Sequence, residues 1–113
     1  MQTQTDRQTD SRPYFTRALF DLGQTVATPA ALDAVGGDAS AFFPFILRHH
    51  AGDWGELTRN GDPDEISDWE RNDEALIDGG RLLSAYLLPD GTKLWIITEA
   101  DRSATTVLLP SDY

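Results

Sequence analysis

The sequence predicts an α+β fold, and three features carry that prediction. Three alternating segments, RLLSAYLLPDG, TKLWIITEADR and SATTVLLPSDY, fill Gly80–Tyr113 as a run of strands with tight connections. Helix-capping signals sit upstream of them, at Thr28-Pro29 and at Asp62-Pro63-Asp64-Glu65. A short β-branched segment, Gln24–Ala27, precedes both. Helices grouped before a meander, rather than alternating with strands, favour α+β over a wound α/β sheet. At 113 residues the expectation is one domain, residues 13–113, with a core that needs no staples.

Residues 1–12, MQTQTDRQTDSR, are polar and are expected to form a disordered leader, because they bury too little to offset the ordering entropy. The cluster Tyr14, Phe15, Leu19, Phe20 and Leu22 starts the fold, and Gln24–Ala27 reads as a first strand. Thr28 can cap a helix whose first position is Pro29. That helix covers Pro29–Val35 and stops at Gly36-Gly37, where glycine adopts the left-handed conformation at low cost. A second helix runs through Phe45–His50. Its start is open between Ser40 and Pro44, because proline would break an established helix interior.

The third helix has the clearest signals. Asp62 is an N-cap acid, Pro63 takes the first position and Glu65 completes a capping box. The predicted helix covers 63–78, with Ile66, Trp69, Leu76 and Ile77 on its apolar side. Asp64, Asp68, Arg71, Glu74 and Asp78 follow helical spacing along another side. Gly79-Gly80 closes it. Pro89-Asp90-Gly91 then supplies the first meander turn and Ala100–Ser103 the second. The architecture expected is an N-terminal strand and about three helices packed on a three-stranded antiparallel meander.

Charge narrows the function classes. The net charge is −10, and ten acids between Asp53 and Asp78 face only Arg59 and Arg71. A field of that sign repels phosphate backbones, whose affinity for proteins depends on Lys and Arg displacing counterions. Direct nucleic-acid binding is therefore not expected, while a basic protein surface is a suitable partner. Acids also simply keep small proteins soluble. The absence of cysteine excludes disulfides, thiolate metal sites and a cysteine nucleophile. With no apolar stretch of signal-peptide or membrane-spanning length, the expected location is cytoplasmic.

Four groups of residues are candidates for function. The first is the acidic row Asp64, Asp68, Glu70, Glu74 and Asp78, either a solvated face or a rigid line of carboxylates imitating a nucleic-acid backbone before a basic partner. The second is Trp54 in the Asp53-Trp54-Gly55 turn, either an interface anchor or a ring tucked onto the core with its N–H satisfied. The third is Glu99, Asp101 and Arg102, which could supply acid, base and phosphate-holding groups or merely form a polar turn. The fourth is His49, His50, Asp53 and Glu74, which would bind metal only if several converged. Adjacent histidines on a helix cannot point the same way, so at most one of the pair joins such a cluster; no metal or other cofactor is expected. No phosphate-cradling glycine loop, nucleophile elbow or metalloprotease helix occurs.

RHHAGDWG at 48–55, GRLLSAY at 80–86 and WIITEADRSATTVLLP at 95–110 together resemble a group of short proteins encoded on plasmids and other mobile elements, often called plasmid-related proteins. The resemblance spans roughly residues 20–113 and implies a mobile-element context without implying a chemistry. With the acidity, it leads to the expectation of a non-enzymatic protein that binds, and inhibits or regulates, a basic nucleic-acid-handling partner such as a host-defence nuclease complex. The alternative is a small toxin-like ribonuclease or other small enzyme using Glu99, Asp101 and Arg102. Its weakness is the sign of the charge, since such ribonucleases bind RNA through basic surfaces.

Overall fold

The computed structural model describes residues 18–57 and 68–113. Among these, β1 (Gln24–Ala27), α1 (Pro29–Ala34), α2 (Phe43–His50), α3 (Asp68–Asp78), β2 (Leu82–Leu87), β3 (Lys93–Thr98) and β4 (Ala104–Leu108) follow in order. Short 3-10 turns cover Ala39–Phe42 and Pro110–Asp112. The fold is α+β as expected. The residue 1–12 leader and the Asp62–Glu65 cap, with Asp64 and Ile66, lie outside the described residues.

The 82–108 meander is antiparallel, with Leu82 opposite Thr98 and Ile96 opposite Val107. The sheet nevertheless has four strands, not three, in the order β1-β4-β3-β2. β1 lies parallel to β4, with Gln24 opposite Ala104 and Ala27 opposite Val107. The helices carry the chain away from β1, so it re-enters the sheet only at the opposite edge; the antiparallel meander then returns to it. A four-residue segment alone cannot reveal which strand it will join.

Strand parity decides which side chains go inward. Leu82, Ser84 and Tyr86 from β2, Leu94, Ile96 and Thr98 from β3, and Thr105 and Val107 from β4 are buried on one face. Ala31 of α1 and Phe42 before α2 close the apolar half of that face over Tyr86, Leu88, Leu94, Ile96 and Val107. Thr28 caps α1 by accepting from the Ala31 N–H at 3.1 Å, and Pro29 holds the first turn. Asp38 caps the 3-10 turn that leads into α2, so the regular helix begins at Phe43 with Pro44 in its first turn. Proline does no harm there, because its amide would have no helical partner.

Gly55 has a specific geometric job. Its φ is +73°, and a Cβ would lie 2.0 Å from the Ala85 carbonyl oxygen. Only glycine lets the 53–56 turn approach β2 closely enough to form its isolated parallel bridge with Ala85. That turn and α3 together cover the outer edge of β2. No helix among the described residues is long and apolar enough to cross a membrane.

Candidate functional site

Three side-chain anchors fix α3 against the sheet. Asn72, buried in the middle of the helix, donates to the Leu83 carbonyl at 2.6 Å and accepts from the Leu83 N–H at 2.9 Å. The amide thus pairs with β2 as a neighbouring strand would. Arg102 reaches from the β3–β4 turn and donates to the carbonyls of Gly80, Ala75 and Glu99 at 2.5, 3.1 and 3.2 Å. A cation at these carbonyls caps the end of a helix that has no basic residue in its last turn. Trp54 Nε1 donates to Asp73 Oδ1 at 3.0 Å, tying the middle of the helix to the 53–56 turn.

The opposite face of α3 is exposed and presents Glu70, Glu74 and Asp78, while Asp68 is exposed in the first turn, on the side of Asn72. Among the described residues, Asp68, Glu74 and Asp78 form no hydrogen bond or ion pair. Ile77 overturns the expectation that placed it inward, because it is 85% exposed. Its Cα lies about 100° round the helix from Leu76, and Asn72 rather than an aliphatic side chain sits at the centre of the buried stripe. Ile77 therefore lies beside Glu70, Asp73 and Glu74, an apolar knob in an acidic surround.

Trp54 is not an exposed anchor. Its side chain is fully buried, between the rings of Phe20 and His49, with its N–H satisfied by Asp73. Glu99, Asp101 and Arg102 do not converge on a common point either. Arg102, at φ +60°, spends its guanidinium on carbonyls. Glu99 lies 3.7 Å from Arg81, and Asp101 accepts from the Ser103 N–H, which closes the turn. That geometry builds a structural knot between the turn and α3, and leaves the enzyme alternative no free cation in the turn.

His49, His50, Asp53 and Glu74 likewise serve separate ends. Asp53 pairs with Arg48 at 2.7 Å, His50 Nε2 donates to the Phe20 carbonyl, and Glu74 lies on the exposed face of α3. His49 is fully buried beneath the sheet in a hydrogen-bonded chain. The direction of that chain follows from its end. Thr105 Oγ1 donates to the Leu22 carbonyl, so Thr98 Oγ1 must donate to Thr105 Oγ1 at 2.7 Å. His49 Nε2–H must then donate to Thr98 Oγ1 at 2.9 Å, leaving Nδ1 to accept from the Ser84 hydroxyl. The chain therefore puts the proton on Nε2, and the bond accepted by Nδ1 from Ser84 requires a neutral imidazole. Burial, with the charges of His50 and Arg102 adding to it, pushes the His49 pKa down to about 3.

Neither Asn72 nor this chain was among the candidates read from the sequence. The chain did leave a signal: Ser84, Thr98 and Thr105 occupy inward-facing strand positions, where a hydroxyl must find a partner. No protein-family model, curated protein or solved structure matches the chain.

Proposed function

We propose that the chain is a non-enzymatic, acidic binding protein that docks the exposed face of α3 onto a basic surface of a nucleic-acid-handling partner. The observation that carries this reading is the combination on one anchored helix of Glu74 and Asp78, free of partners among the described residues, with Ile77 exposed beside them and Asp68 exposed in the first turn. Rigid carboxylates steer a basic partner into encounter. An aliphatic knob that loses its water on docking adds a term that steering alone does not supply. The mobile-element resemblance favours a partner in host defence, met in the cytoplasm and inhibited by occupation of its nucleic-acid groove. Commitment of Arg102 to backbone carbonyls, and of His49 to a buried chain, weighs against the ribonuclease reading.

Photo-crosslinking tests the proposal. A benzoylphenylalanine introduced at Arg71, on the exposed face of α3, should capture a basic partner in host cells. The same residue at Lys93, at the far end of the β2–β3 hairpin, should not. Equal capture from both positions, or capture from Lys93 alone, would move the interface off α3.

A further inference from the structure

The two edges of the sheet are treated differently. At β2 the outward backbone groups of Leu83 and Ala85 are taken: Leu83 by Asn72, the Ala85 N–H by the Trp54 carbonyl at 3.1 Å, and the Ala85 carbonyl by the Glu56 N–H at 2.6 Å. At β1 they are not. Gln24 and Thr28 donate to Ser103 and Val107 of the β4 side. Because bonding alternates along a parallel strand, the N–H and C=O groups of Thr25 and Ala27 point away from the sheet. No strand among the described residues pairs with them. Gln24, Thr25 and Val26 are exposed, Val26 at 42%. The strand is short, at four residues, but carries no lysine, proline or bulge, the other devices that stop an open edge from pairing.

Carboxylates bracket this edge. Asp21 precedes β1, and Asp101 sits in the turn whose Ser103 bonds Gln24. At the other end Asp112 accepts from the Thr28 hydroxyl at 2.7 Å. All three acids are exposed. Hydrogen bonds from Ser103 and Thr28 hold the Asp101 and Asp112 carboxyls below the usual carboxylate range, so both are ionised at neutral pH. Arg102, the cation of the same turn, faces inward to the carbonyls at the end of α3 and does not mask them.

We infer that β1 is a docking edge for an extended basic segment of a partner protein, added to the sheet as a fifth strand beyond Thr25 and Ala27. Main-chain pairing supplies the bonds, small or β-branched residues pack beside Val26, and flanking Lys or Arg residues meet Asp21, Asp101 and Asp112. A segment of that charge is favoured over a second copy, which would bring the same carboxylates to the same edge. The inference is independent of α3.

The probe is the peptide acetyl-Lys-Arg-Val-Thr-Val-Arg-Lys-amide, followed by amide exchange and NMR shifts. It should slow exchange at Thr25 and Ala27, and binding should weaken with added salt. A peptide with Glu at the four basic positions should not bind. Thr25→Pro removes an outward N–H at an edge position where proline is tolerated, and should weaken binding at least tenfold. Asp21→Lys, which leaves the strand untouched, should weaken it several-fold, while Asp68→Lys with Glu74→Lys should not weaken it. Shifts confined to α3, or unchanged binding by both Thr25→Pro and Asp21→Lys, would overturn the inference. So would protection of Thr25 and Ala27 without peptide: if it rises with protein concentration, a second copy holds the edge, and if it does not, the chain covers its own edge.

Discussion

Acidification should destabilise this protein through His49 before it titrates most carboxylates. The buried imidazole has a pKa of about 3, against 6.5 when solvated. The sign follows directly: the folded state resists the proton that the unfolded state accepts. Stability is therefore complete above pH 6.5 and is lost progressively as pH falls toward 3. At about 1.4 kcal/mol per pKa unit, the whole window is worth about 5 kcal/mol, a large share of the 5–15 kcal/mol typical of a domain. Between pH 8 and pH 5, where carboxylates remain mostly ionised, the loss should be about 2 kcal/mol. Urea titrations followed by tryptophan fluorescence would measure it, since Trp54 is buried beside His49. Nitrogen shifts of labelled histidine should show the Nε2–H tautomer of His49 persisting at pH 5. A flat stability profile from pH 8 to pH 5, or a His49 signal that titrates near 6.5 in the folded protein, would refute the buried-chain argument.

Two further outcomes follow from the anchors of α3. Asn72→Leu removes both partners of the Leu83 backbone while filling similar space. It should cost about 2–4 kcal/mol in chemical denaturation, because two backbone groups lose their bonds. Arg102→Ala should release the carbonyls of Ala75 and Gly80 and leave an alanine at φ +60°. Faster amide exchange in the last turn of α3 would register it, with a stability loss of about 1–3 kcal/mol.

Much of the fold is legible in the residues themselves. Thr28-Pro29 gives the first helix because a hydroxyl cap and a proline act locally, and Pro89-Asp90-Gly91 gives the first meander turn for the same reason. Pairing of β1 with β4 is not legible, since it depends on contacts some eighty residues apart in the chain. Ile77 is exposed although its residue type alone suggests burial. The buried stripe of α3 is centred on Asn72, whose amide is needed at the β2 edge, and this turns Ile77 to the outside. Arg102 looked like part of a polar site because sequence shows its charge but not its reach to the carbonyls ending α3. His49 was visible as a residue, whereas its partners Ser84, Thr98 and Thr105 become a chain only once strand parity aligns them.

The docking role of α3 is tested most directly by association rates for the captured partner, measured against salt. The comparison is the natural chain with a variant carrying Asp68→Lys, Glu74→Lys and Asp78→Lys. These exposed changes should each alter stability by no more than about 0.5 kcal/mol. The variant should associate at least tenfold more slowly at low salt. The difference should close as the Debye length shrinks from about 10 Å at 0.1 M to about 3 Å at 1 M. Equal rates for the two proteins at every salt concentration would contradict the account, and α3 would then be only a solvated face.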